Sequence, residues 1–142
     1  MDFAGPVEGK QLLVVVDAYS KWCDVHICAS ASSAAAIEKL RMSFSTHGLP
    51  VILVSDNGTA FSSSEFQAFI KENRIVHRFS PPLHPASNGQ AEAVVKVVKS
   101  GIMQRSDGSL QTRLSRFLFK YRNTRRTRLH VVPRRSSCWD AR

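Results

Sequence analysis

A chain of 142 residues with 43% hydrophobic residues is about one domain long and carries enough apolar material for one core. No apolar run approaches the roughly 20 residues of a membrane helix, and MDFAGPVEGK lacks the basic start and apolar stretch of a signal peptide, so neither a membrane nor secretion is expected. The net charge of +9 is uneven: residues 1–111 hold ten Lys/Arg and ten Asp/Glu, whereas residues 112–142 hold ten Lys/Arg against Asp140 alone; a basic end of this kind suits a polyanion, most simply nucleic acid.

In chain order, Gln11 to Tyr19 reads as a buried strand, because Leu12, Leu13, Val14, Val15 and Val16 are consecutive and mostly β-branched. A second strand is expected from Trp22 to Ala29, joined to the first by the short Ser20-Lys21 link as a hairpin or as one bent strand. A helix follows from about Ser33 to Thr46, stopped by Gly48 and Pro50. Val51 to Val54 is a short apolar strand ending in the turn word Ser55-Asp56-Asn57-Gly58, where Gly58 is expected at positive φ. Ser63 or Ser64 caps a helix with Phe66, Phe69 and Ile70 at i, i+3, i+4. Arg74 to Phe79 reads as a strand, and Ser80 to Gly89, with three prolines and an Asn-Gly, as a loop. Helices are expected from Gln90 to Gln104 and from Leu110 to Asn123. The order is a mixed α/β layer with helices against a central sheet.

Burying a carboxylate is costly unless it is paired, hydrogen-bonded or neutralised by a metal. Asp17 follows five apolar residues and Asp56 follows Val-Ile-Leu-Val-Ser, so both fall at strand tips; Glu92 falls in the first turn of a helix after a long loop. Three carboxylates brought together repel one another, and hard oxygen ligands of this kind suit Mg²⁺ or Mn²⁺. Taken one at a time, an Asp after a strand is more often a turn or capping residue, and Glu92 an ordinary acid favoured by the helix dipole. Asp24, Glu38, Glu65, Glu72 and Asp107 read as solvated acids, and Tyr19 and Trp22 as core or subunit-interface residues. Cys23, Cys28 and Cys138 have no CxxC spacing and no zinc-finger pairing with histidines, so free thiols and no zinc are expected.

The words VVVDAYSKW at 14–22, GLP at 48–50, VSDNGTAFSSSEF at 54–66, HPASNGQAE at 84–92 and FLFKYRNT at 117–124 resemble the integrase catalytic core of gypsy-type LTR retrotransposons and retroviruses. Thirty-five residues separate Asp56 from Glu92 (92 − 56 − 1), the spacing of that family's D,D-35-E motif. The resemblance spans residues 3–128. It implies an RNase H-like mixed sheet with helices on both faces, and Asp17, Asp56 and Glu92 as catalytic carboxylates holding two Mg²⁺ or Mn²⁺ ions. The implied activity is 3′-end processing and strand transfer of retroelement DNA, in the nucleus, by a homo-oligomer of at least two copies. Lys96 and Lys99, at i+4 and i+7 from Glu92, share its helix face; with Asn88 and Gln90 they are the implied DNA contacts, an ion pair from Lys96 to Glu92 being the alternative.

The sequence departs from the family at Ala93, where many relatives carry arginine. No zinc domain precedes the core words and no chromo- or SH3-like domain follows them, so a core without its flanking domains is expected. The alternative is a catalytically idle, degenerate or domesticated remnant that binds DNA or protein partners. Residues 129–142 form a basic tail unlike the family's continuation. One back-translation of residues 130–142, read two bases later, gives RGAPAELLLGRE, which does match that continuation. A frameshift before about His130 is therefore expected, and a tail without ordered packing.

Overall fold

A computed structural model describes residues 1–80 and 89–128. Three strands form an antiparallel sheet in the order β1 (Asp2–Val7), β2 (Lys10–Val16), β3 (Cys23–Cys28). Helix α1 (Ser33–His47) leads to β4 (Ile52–Ser55), then α2 (Thr59–Ser62), α3 (Ser64–Glu72) and β5 (Val76–Phe79), with β4 and β5 paired in parallel. Helices α4 (Gly89–Met103) and α5 (Leu110–Arg128) complete the fold. The Met1 nitrogen donates to the Val54 carbonyl at 2.6 Å, which sets the start of β1 beside β4.

Strand β2 explains the arrangement. Its consecutive apolar residues are needed because both of its faces are covered, the situation that removes polar alternation from a strand. Leu13 and Val15 pack with Ile37, Leu40, Phe61, Phe66 and Phe69 from α1, α2 and α3. Leu12 and Val14 pack with Val94, Val98, Ile102 and Leu114 from α4 and α5. The expected α/β layer with helices on both faces is therefore observed.

Most elements fall within two residues of their expected places, and Ser63 caps α3 by accepting from the Phe66 amide. Strand β1 and the one-turn α2 were not foreseen. Gly5-Pro6 sits at an irregularity in the β1–β2 register between Ala4 and Val7. The hairpin closes through Glu8 and Gly9, whose φ values of 51° and 73° suit a two-residue turn of the I′ kind. Helix α5 runs five residues beyond its expected end. Tyr19 is 66% exposed and Trp22 39%, so neither belongs to the core. Cys23 and Cys28 are buried. Cys138 and the expected tail over 129–142 lie outside the described residues. Among those described, no helix is long and apolar enough to cross a membrane.

Candidate active site

Asp56 sits one residue past β4, where the strand has stopped pairing and the chain turns into α2. Its Oδ1 accepts from the Gly58 amide at 3.2 Å, an Asx-type turn that fixes the side chain on its own backbone. Gly58 has φ of −61°, not the positive value expected. What it supplies is closeness, since a Cβ there would lie 3.1 Å from Asp56 Oδ1. Glu92 lies in the first turn of α4, as expected, and is exposed.

The acid that feels the charge of both is Asp2, on β1. Its carboxyl is pushed above the usual range first by burial, then by the negative charge of Asp56 and, more weakly, that of Glu92; the N-terminal charge and the Phe3 backbone amide act the other way. Asp17 has a different setting. It lies three residues past the Asp2–Val14 register pair, roughly 10 Å further along the strand direction. Only 3% exposed, it holds the β2–β3 turn together. Its Oδ2 accepts from the Ser20 amide at 2.7 Å and from Ser20 Oγ at 2.5 Å, while its backbone bonds Trp22 and Lys21.

Asp17, expected beside Asp56 and Glu92, is thus described as a turn-holding carboxylate bonded to Ser20, and Asp2 is the acid that feels the charge of Asp56 and Glu92. Sequence reasoning passed over Asp2 because Gly5-Pro6 interrupts the alternation that would mark its segment as a strand.

A carboxyl raised by burial and by two negative neighbours, as Asp2 is, is an oxygen donor of the type that suits hard divalent cations. Among the described residues, no group of three or more His, Cys, Asp or Glu side chains is close enough to enclose an ion.

On α4 the buried residues Val94, Val98 and Ile102 define the core-facing stripe. At 100° per residue, Glu92, Lys96 and Lys99 fall on the opposite side; Lys96 is exposed and Lys99 half-buried. None of the ion pairs between described residues joins Lys96 to Glu92. Asn88 lies outside the described residues, and Gln90 is placed only as a member of α4.

The profile of the family described as "Integrase core domain" matches residues 1–85. This chain belongs to the integrase core domain family. It is 43% identical over 126 residues to an uncharacterized protein of Caenorhabditis elegans, a match covering 87% of this chain and 10% of that protein. To the Pro-Pol polyprotein of feline foamy virus it is 36% identical over 96 residues, covering 65% of this chain and 8% of the polyprotein. This integrase core thus spans about a tenth of the length of the curated relatives it matches. Among solved structures it resembles a chain of the simian T-cell lymphotropic virus intasome (24% identity, TM-score 0.72, 92% of this chain and 47% of that one). It also resembles the HTLV-2 integrase catalytic core domain in complex with magnesium (24%, TM-score 0.66, 92% and 82%). The fold is the RNase H-like α/β arrangement shared with these cores.

Proposed function

We propose that this chain is the catalytic core of a retroelement integrase, performing divalent-metal-dependent 3′-end processing and strand transfer on DNA, with Asp2, Asp56 and Glu92 as its metal-binding carboxylates. The observation that carries the reading is the seating of β1 beside β4 by the Met1–Val54 bond, which sets Asp2 near the strand end that leads to Asp56, in a chain whose Asp56–Glu92 spacing is that of the D,D-35-E motif. The magnesium of the HTLV-2 core supports Mg²⁺ or Mn²⁺ as the ion, with two expected per site. When bound, such ions supply activation of the attacking oxygen and charge neutralisation at the leaving one.

The chain's own residues divide the remaining work. Asp2 is presented by β1 and Asp56 by the turn that follows β4, and the bond from the Met1 nitrogen to the Val54 carbonyl holds the start of β1 beside β4. Asp56 keeps Oδ1 on the Gly58 amide, which leaves Oδ2 directed by a fixed turn. Glu92 comes from α4, and Lys96 and Lys99 extend the same helix face as cations suited to a phosphate backbone; Asn88 and Gln90 are the proposed contacts for the DNA end. No covalent protein intermediate is required for in-line attack by water or a 3′-hydroxyl. The assembly is proposed to be a homo-oligomer, since two DNA ends must be joined, and the intasome and the trimeric and dimeric HTLV-2 cores support that state; the nucleus is proposed as its place of action.

The test is a disintegration assay with Mn²⁺ on the full chain. Asp2→Asn, Asp56→Asn and Glu92→Gln are each expected to reduce activity to the uncatalysed background, while Asp17→Asn retains it. Wild-type activity in Asp2→Asn with loss in Asp17→Asn would restore the assignment read from sequence. An inactive wild-type chain that still binds DNA would favour the idle-remnant reading.

A further inference from the structure

Behind Asp56 runs a chain of hydrogen bonds whose direction the structure fixes. Gln67 Nε2 lies 2.7 Å from the Phe61 carbonyl and 2.8 Å from His77 Nδ1. An amide nitrogen has two hydrogens and no acceptor, so the Phe61 carbonyl holds the nitrogen side inward and its second hydrogen goes to His77. Nδ1 of His77 is therefore the acceptor, and Nε2 carries the ring hydrogen. That nitrogen is 2.8 Å from Ser55 Oγ. Ser55, fully buried, in turn donates to the Asp56 carbonyl at 2.8 Å. The His77 ring is boxed by Phe66 edge-on at 5.5 Å and by Phe79 at 4.5 Å.

We propose that His77 is a positioning residue for Asp56, acting through Ser55; the inference rests on the reading of Asp56 as a metal-binding carboxylate. Strand pairing does not need this relay. The β4–β5 ladder runs from Ile52↔Val76 to Ser55↔Phe79 without it, and the Ser80 amide adds a bond to the Ser55 carbonyl at 2.8 Å. The relay ends instead one residue past the ladder, on the peptide joining Asp56 to Asn57. Fixing that peptide fixes where the Gly58 amide stands, and the Gly58 amide holds Asp56 Oδ1. Outer-shell partners of this kind orient a ligand before the ion arrives.

The test is a Mn²⁺ titration of the full chain without DNA, free ion being followed by electron paramagnetic resonance. His77→Phe keeps a flat ring between Phe66 and Phe79 and removes both hydrogen bonds; Ser55→Ala breaks the next link by deleting one atom. Each is expected to weaken Mn²⁺ binding about tenfold. The double variant should be no weaker than either single one, because one relay is broken once. His77→Gln, which keeps an N–H for Ser55, should recover most of the affinity, irrespective of how its melting temperature compares with that of His77→Phe. Should His77→Phe fail to fold, Ser55→Ala carries the same test. Wild-type Mn²⁺ affinity in the single variants, with binding lost in Asp56→Asn, would overturn the positioning role alone. Wild-type affinity in Asp56→Asn would remove the metal reading, and the relay with it.

Discussion

Asp24 shows how much a single side chain contributes here beyond its charge. Its Oδ1 accepts from Arg122 Nη2 at 2.8 Å and Trp22 Nε1 at 3.1 Å, and its Oδ2 bonds His47 Nε2 at 2.9 Å and Ser43 Oγ at 3.3 Å. Arg122 also donates to the Cys23 carbonyl and lies over the Trp22 ring at 4.2 Å. One carboxylate thus ties β3 to α1 and α5. Sequence reasoning took Asp24 for a solvated acid, yet its side chain is only 15% exposed. Asp24→Ala should cost about 2 kcal/mol, the scale of losing charge-assisted hydrogen bonds that leave partners behind, read as a lower urea midpoint at unchanged slope. The contrast is Asp107→Ala. Asp107 is paired with Arg116 on the surface, so its loss should leave the midpoint in place. The same distinction explains what the sequence could tell about the site. Asp56 and Glu92 were legible because a turn word and a helix start announce their positions. Asp17 and Asp2 could not be told apart by pattern, since a strand tip marks a structural turn as readily as a ligand, and only the long-range bond from Met1 to Val54, which sets β1 beside β4, separates their settings.

At the scale of elements, the α4–α5 contact is the tightest test of packing. A Cβ on Gly101 would overlap the ring of Phe117, which stacks on Tyr121 at 5.8 Å. Helix propensity alone favours alanine over glycine by about 1 kcal/mol, but overpacking costs about 1–3 kcal/mol. Gly101→Ala is therefore expected to destabilise by about 1 kcal/mol, and Phe117→Leu in the same chain to relieve it. Urea denaturation of both singles and the double gives the coupling. Additive losses would mean that the two helices do not meet as described. Both helices were readable from sequence because each repeats apolar residues at helical spacing over three turns or more. Strand β1 was not, because six residues containing Gly-Pro carry too little alternation to outweigh a turn signal. Its strand state comes from pairing with β2, a non-local fact.

Across the whole molecule, the two apolar clusters share β2 as a common wall, so the loss of either exposes the other and unfolding is expected as one transition. A group on that wall's neighbour then reports on global stability. His26, on β3, bonds Ser43 Oγ at 2.7 Å. Burial holds its pKa below the ordinary value, with Lys39, His47 and Arg122 acting in the same direction and Asp24 against them. The folded state therefore resists the proton that the unfolded chain accepts near pH 6.5. Stability from this group is complete above that pH and falls as the pH drops through it toward the lower folded-state pKa. The slope cannot exceed about 1.4 kcal/mol per pH unit for one proton. His26→Gln retains a polar partner for Ser43 and does not titrate. Between pH 7.5 and 5.5, urea unfolding should show the wild-type chain losing more stability than His26→Gln, the two converging in slope below the folded-state pKa. Parallel pH profiles for the two proteins throughout that range would mean that His26 is as free to protonate folded as unfolded, and that its burial does not exclude the charged ring.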